Sequence, residues 1–260
     1  MEILVTNDDG YDAPGLRALV EGLCARAHVT VVAPVSEQSA VGHAITIHNP
    51  IKVARRDRSD GLPGYAVHGT PADCVKLALN SLLERQPDLI ISGINQGANL
   101  GTDIIYSGTV SAATEGTLLG IPSIALSIDS YAADALFATA ATVAAQLIDL
   151  LPDFQLPAGT LLNVNVPDVP PADIKGWRLT SQGKTKYVEN YLQRHDPRGN
   201  AYYWIDGELV EQEEVEHADY RAVKQGFVSI TPIHFDVTNY AYLARMRDEL
   251  EHRLTIPARA

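Results

Sequence analysis

Four segments of the 260-residue sequence bring together residue types that could do chemistry. The first is Asn7-Asp8-Asp9-Gly10, which follows the apolar run Ile3–Thr6. Two adjacent carboxylates repel one another and are costly to desolvate, and a hard divalent cation removes that cost. A solvated turn capped by an aspartate is the plain alternative. Its place after the first strand, with Gly10 freeing the backbone, favours a site, because open parallel sheets bind ligands beyond the carboxyl ends of their strands. The second segment is Ser92-Gly93-Ile94-Asn95-Gln96-Gly97-Ala98-Asn99. Asn95 and Asn99 offer neutral oxygens to a metal or donors to a phosphate, with a ligand-free glycine loop as the alternative. The third is Tyr106-Ser107-Gly108-Thr109-Val110-Ser111, ahead of a helix of small residues. Amides and hydroxyls at a helix N-terminus bind anions, and a simple Ser/Thr cap gives the same pattern. The fourth is Ser36–Thr46, where Ser39 is a candidate for metal or phosphate and His43 for an acid. The combination suits metal-assisted hydrolysis of a phosphate ester, and all-oxygen donors favour Mg²⁺ or Mn²⁺ over Zn²⁺.

Elements of alternating type must position these segments. Ile3–Thr6, a helix from Asp12 as cap to about Ala27, and Val29–Ala33 make a βαβ unit, which implies a parallel sheet. Short strands follow at Ala44–Ile47, Ile51–Ala54 and Tyr65–Val67, with Asp60-Gly61 as a turn. Thr70-Pro71-Ala72-Asp73 resembles a capping arrangement for a helix running to about Glu84. Leu89–Ser92 is a buried strand, 93–106 a Gly/Asn-rich loop, and a helix spans about Thr109 to Gly120. Ser123–Ser127 and Leu161–Val166 are strands around a long helix, Ala132–Leu150. The pattern predicts a three-layer α/β/α sandwich over 1–180, completed by a strand at about 226–233. Tyr187–Asp206, polar and aromatic with a turn at Asp196–Asn200, reads as a long β-hairpin within an extension covering 181–225. Glu208–Glu216 is an acidic, solvated connection, and Tyr240–Leu254 an amphipathic helix within a 234–260 segment expected to serve oligomerisation.

Composition bounds the function. Twenty Lys+Arg against 32 Asp+Glu give a net charge of −12, with a pI near 5.0. A basic face for duplex nucleic acid is therefore not expected, although a local site for a small anion is compatible with an acidic chain. No stretch approaches a membrane span, and no signal peptide is visible. Cys24 and Cys74 read as buried thiols in a reducing, cytoplasmic setting. There is no GxxxxGK[ST] and no GxGxxG after a strand, and His48, His68, His195 and His217 lack zinc-site spacing.

Seven segments resemble the SurE (survival protein E) family of metal-dependent 5′/3′-nucleotidases. They are LVTNDDGYDAPGL at 4–16, GTPADCVKLAL at 69–79, DLIISGINQGANLG at 88–101, IYSGTVSAATEG at 105–116, LLNVNVP at 161–167, DPRGNAYYWI at 196–205 and GFVSITPI at 226–233. The resemblance implies a Rossmann-like α/β/α domain with a protruding hairpin and exchange of C-terminal segments between subunits, giving a homodimer or homotetramer. It implies one divalent cation per subunit on Asp8, Asp9, Ser39 and Asn95. Phosphate is expected at Ser107, Gly108 and Thr109 with Asn99 nearby, and Asp8 or Asp9 is expected either to orient water or to attack phosphorus. The implied substrates are nucleoside 5′- and 3′-monophosphates. Polyphosphate, another small phosphate ester, or a nucleotide sensed without turnover are the alternatives. Two departures stand out: Gln38-Ser39-Ala40 where relatives have Ser-Gly, and His217-Ala218-Asp219-Tyr220 in place of Gly-Thr-Asp. The first is expected to alter loop flexibility, and the second to have a conformational rather than a catalytic effect.

Overall fold

The apolar runs form nine strands of one sheet in the computed structural model, which describes residues 1–57, 63–151, 156–211 and 215–250. The strands are β1 (Glu2–Thr6), β2 (His28–Pro34), β3 (Lys52–Asp57), β4 (Pro63–His68), β5 (Leu89–Gln96), β6 (Ser123–Asp129), β7 (Thr160–Pro167), β8 (Trp177–Leu179) and, after a separate hairpin, β11 (Val228–His234). Their order is β3-β4-β2-β1-β5-β6-β7-β11-β8. Pairing is parallel except for β3 on β4 and β11 on β7. β1, β2, β5, β6 and β7 are buried almost throughout, as strands covered on both faces must be.

Helices α1 (Pro14–Leu23) and α4 (Phe137–Leu150) cover one face, and α2 (Pro71–Leu77) and α3 (Gly108–Leu118) the other. α1 buries Leu16, Leu19, Val20 and Leu23, spaced three and four apart, against Ile3, Val5 and Val31. α3 has a different reason for its place. Its small residues let it press onto the sheet, and a Cβ added at Gly116 would lie 2.5 Å from Ile90 Cδ1. The expected three-layer α/β/α architecture is present.

Several expected boundaries are corrected. Asp12 caps nothing: the cap position is Ala13, without a side-chain bond, and α1 stops at Leu23 rather than Ala27. Ala44–Ile47 is not a strand. The helix expected from Thr70 to Glu84 is α2 followed by one π-helical turn, Ala78–Leu82. Its capping box is present, with Thr70 and Asp73 bonded reciprocally. α4 starts at Phe137, not Ala132. The loop expected over 93–106 begins as the end of β5 and contains a 3₁₀ turn at Gly101–Ile105. Cys24 is exposed, whereas Cys74 is buried. The Asp60-Gly61 turn and the end of the C-terminal helix at Leu254 lie outside the described residues.

The hairpin expected after residue 180 is an arm of β9 (Thr185–His195) and β10 (Ala201–Glu211), paired only with each other. Asp196 closes its tip by accepting bonds from the amides of Arg198 and Asn200. Helix α5 (Asp219–Lys224) follows, and its cap position, Ala218, makes no side-chain bond. Asp219 instead ties the base of the arm, accepting from the amides of Gly101, Gly183 and Tyr220. The final described helix, α6 (Tyr240–Leu250), has no buried residue. Among the described residues no helix is long and apolar enough to cross a membrane.

Candidate active site

The ends of β1 and β5 and the start of α3 meet at one cleft. After β1 the buried side chain of Asn7 closes the turn on itself: its Nδ2 donates to Gly10 O at 2.9 Å and its Oδ1 accepts from Gly10 N at 3.3 Å. Gly10 has φ +106°, a value open to glycine at little cost. This turn presents Asp8 and Asp9 in different directions. Asp8 is 5 % exposed and lies against the first turn of α3. Its Oδ2 accepts from Thr109 N at 2.9 Å and its Oδ1 from Thr109 Oγ1. Gly108 permits this approach, since a Cβ there would lie 2.8 Å from Asp8 Oδ2. Asp9 accepts from Gln96 N at 3.0 Å.

Both carboxyls are held above their usual range. For Asp8, burial is the chief cause and outweighs the bonds from Thr109. For Asp9, burial, opposed by the Gln96 bond and reinforced by the charges of Asp8 and Glu37, raises the pKa to about 7. No basic side chain is among the partners that shift either group. Among the described residues the pair thus has no bonded counter-charge of the kind buried carboxylates require.

The other expected residues gather nearby. Asp8, Ser39, Asn95, Asn99 and Ser107 line one cleft of about 650 Å³. Asp9 lines an adjoining hollow that shares Ser39, Gln96 and Tyr131 with it. Ser39 Oγ donates to Glu37 Oε1 at 2.5 Å. The backbone irregularity between Ser92 and Asn95 re-aims the end of β5. Asn95 Nδ2 donates to Gly97 O at 2.6 Å, so Oδ1 is the atom it has to offer a ligand. Asn99 is buried, its Nδ2 donating to Ser127 Oγ at 2.8 Å. Ser107 caps α3, accepting from Val110 N at 3.1 Å. Thr109 gives both its amide and its hydroxyl to Asp8. His43 does not line the cleft; its Nε2 pairs with Glu115 Oε2 at 2.8 Å.

The donors suit a hard divalent cation: two carboxylates short of counter-charge, with a hydroxyl and an amide oxygen beside them. Among the described residues, no three His, Cys, Asp or Glu side chains cluster as a metal centre. A cation here would thus need the neutral donors as well.

Sequence reasoning passed over two sets of residues. Asn163 and Asn165 hold the Asn99 backbone: Asn165 Oδ1 accepts from Asn99 N, and the Nδ2 groups of both donate to Asn99 O. Their signal was two polar residues at strand spacing inside the apolar run LLNVNVP. Tyr106, Tyr131, Ile205, Asp206 and Gly207 also line the cleft, the last three from the arm. Tyr106, Ile205 and Asp206 fall in segments singled out above, but nothing local in the sequence places any of the five at a cleft.

This geometry can be set beside known proteins. The survival protein SurE family model matches residues 3–189. The chain belongs to the SurE family. A 5′-nucleotidase SurE from Thermosipho melanesiensis is 47 % identical over 253 residues, 97 % of this chain and 99 % of the relative. One from Geobacter sulfurreducens is 50 % identical over 244 residues, 94 % and 92 % of the two chains. The crystal structure of a SurE protein from Aquifex aeolicus superposes with a TM-score of 0.83 at 43 % identity, covering 95 % of this chain and 99 % of that one. The SurE likeness thus extends through the arm and beyond the 3–189 match.

Proposed function

We propose that this chain is a divalent-metal-dependent phosphatase that hydrolyses nucleoside 5′-monophosphates, and 3′-monophosphates, to nucleoside and phosphate. The observation that carries the reading is the adjacent pair at the end of β1, Asp8 buried and Asp9 half-buried, with no basic side chain paired to either among the described residues. Relatives at 47–50 % identity over nearly the whole chain, named 5′-nucleotidase SurE, supply the substrate class.

In this reading Asp8, Asp9, Ser39 and Asn95 hold one Mg²⁺ or Mn²⁺. When bound, the cation supplies charge neutralisation for the phosphoryl group and a source of nucleophile at neutral pH. Ser107 and Gly108, with Asn99, receive the phosphate, whereas Thr109, expected there too, has both its donors on Asp8. Ser107 Oγ accepts from Val110 N with a lone pair, and its hydroxyl proton is what it offers the phosphate. Thr109 acts through Asp8, fixing that carboxylate by two bonds. A nucleotide sensor would not need two carboxylates facing a phosphate, so turnover is favoured over binding alone.

The reading extends to organisation. Residues 1–180 and the strand near 226–233 form the catalytic unit, 181–225 the arm, and 234–260 the segment that joins subunits in a homodimer or homotetramer. Exposed Tyr191, Tyr202, Tyr203 and Trp204 on the arm, and an α6 with no buried residue, support a partner surface. Two free thiols suit a reducing, cytoplasmic setting. Phosphate release from AMP or GMP, with and without Mn²⁺, tests the reading. Release that needs the cation is expected, and no release from either nucleotide under both conditions refutes it.

A further inference from the structure

The root of the arm and the 3₁₀ turn Gly101–Ile105 are joined by more than packing. Asp219, fully buried at the start of α5, accepts from Gly101 N at 2.9 Å through Oδ2. Its Oδ1 accepts from Gly183 N at 3.0 Å and Tyr220 N at 2.8 Å. Gln182 Nε2 donates to Gly101 O at 2.8 Å, so both main-chain polar atoms of Gly101 are taken by side chains from outside the turn. Thr102 N donates to Thr185 Oγ1 at 2.9 Å, and Thr102 Oγ1 donates to Thr185 O. The segments approach too closely for side chains at either glycine. A Cβ at Gly101, whose φ is +55°, would lie 2.4 Å from Thr185 Oγ1, and one at Gly183 would lie 2.9 Å from Asp219 Oδ1. Leu100, Ala218, Tyr220 and Val223 form a small apolar cluster beside the junction.

A carboxylate at 219 is costly to bury, and burial holds it above its usual range. It has one property that an amide side chain lacks: two acceptor oxygens and no donor. The two oxygens are divided between segments, Oδ1 serving α5 and the arm root and Oδ2 serving the turn. That turn lies between two residues of the candidate phosphate site. Asn99 stands two residues before Gly101, and Asn163 and Asn165 fix its main chain from β7. Ser107 follows the turn, and its amide and that of Tyr106 donate to Asp103 O at 3.1 and 3.0 Å. Asp8 and Asp9 take their bonds from Thr109 and Gln96, which lie outside the turn.

We propose that Asp219 is a positioning residue for phosphate binding: by locking Gly101 to the root of the arm, it holds the segment from Asn99 to Ser107 in place. The inference rests on the phosphatase reading and adds a residue remote from the reacting atoms on which that reading depends. Asp219 acts through Gly101. Its loss changes how well the ester is seated and leaves the groups that carry the chemistry where they are.

Asp219→Asn tests this because it is nearly isosteric. With Oδ1 kept toward Gly183 and Tyr220, its amide nitrogen faces Gly101 N, a donor set against a donor. KM for AMP and the inhibition constant of inorganic phosphate should both rise about five- to ten-fold, with kcat within about two-fold of wild type. The rise in Tm on adding Mn²⁺ should persist, because the proposed ligands lie outside the turn. Thr185→Val removes the acceptor for Thr102 N while keeping the shape of the side chain, and should raise both constants about three-fold. Unchanged constants in both variants would overturn the inference. So would a loss confined to kcat or to Tm, which is what a merely structural role would give. If Asp219→Asn does not fold, Thr185→Val decides by the same two constants. A wild type that releases no phosphate from AMP removes the phosphatase reading and this inference with it, whereas a wild type that does so leaves the reading standing whatever the variants show.

Discussion

Asp8 reaches the first turn of α3 only because residue 108 has no side chain, so the two positions act as one unit. Gly108→Ala would drive a Cβ to within 2.8 Å of the Asp8 carboxylate. We expect a loss of roughly 100-fold in kcat/KM for AMP, since small displacements of reacting groups have effects of that order. Ser107→Ala should cost less, because it removes one hydroxyl while leaving Asp8 in place. Asp8→Asn is nearly isosteric and should abolish both turnover and any rise in Tm on adding Mn²⁺. A persistent Mn²⁺-dependent rise in that variant would contradict the assignment of Asp8 as a ligand. Ala40 is the one non-glycine residue with positive φ among those described, at 56°. It follows Ser39, at the position where the resemblance to the family implies glycine. Ala40→Gly should remove a left-handed strain of about 1 kcal/mol, largely offset by the extra freedom of glycine in the unfolded chain. Thermal melts should therefore move little. At this scale the aspartate pair was legible, because adjacent acids after a strand need a charge partner wherever they are buried. Asn163, Asn165, Tyr131 and Asp206 were not, since their relevance comes from what distant segments bring beside them.

The loop that carries Ser39 shows how an element can be fixed without regular structure. Gln38 N donates to Asp8 O at 2.7 Å and Gly42 N to Tyr106 O at 3.0 Å. Thr46 gives its amide and hydroxyl to Asp73, at 2.9 and 2.6 Å. His43 meets Glu115, a buried α3 residue that also binds Lys76 of α2 at 2.9 Å. These backbone and side-chain tethers are why Ala44–Ile47 needs no strand partner, and periodicity carries no trace of them. Glu115→Ala would leave the tether without its anchor. A cost of about 1–3 kcal/mol is expected, below that of a fully buried pair because Lys76 is half exposed. Limited proteolysis should then cut within 36–47 sooner than in wild type. Asp73 gives the tethers a pH dependence. Burial opposes its charge, but the bonds from Thr46 and Thr70 prevail and hold its carboxyl below the usual 3.8. A depressed folded value means that its stabilisation is complete above the unfolded value and fades as pH falls through the folded one. Asp73→Asn should therefore lose about 2 kcal/mol at neutral pH and show a shallower acid limb below about pH 4 in Tm-versus-pH profiles. Helix boundaries were less legible than helix existence. Asp12 looked like a cap, yet the backbone turn around Gly10 places Ala13 at that position.

At the scale of the whole molecule, the parallel core could be read from its alternating buried runs and helices. β8 could not: it is three residues long, all exposed, and exists because β11 lies beside it. The arm was legible from its turn residues, but not its reach to the cleft. Its aromatic surface and the uncovered α6 predict an assembly. Sedimentation at micromolar concentration should give a mass above the 28.1 kDa of one chain, and deletion of 239–260 should yield monomer or aggregate. A wild-type monomer at that concentration would refute the assembly and leave the cleft assignments standing. The order of strands also bears on how the chain is made. β11 inserts between β7 and β8, and Ile205–Gly207 complete a cleft begun by Asp8. A ribosome therefore synthesises the Asp8 side of the cleft first, and the arm side and the last internal strand much later. A nascent chain stalled before residue 201 would carry the acidic pair but lack the arm's share of the cleft wall and the partner on which β8 depends. Such long-range closure is slow relative to local folding. The newborn protein thus carries its acidic pair well before the cleft wall around it is complete.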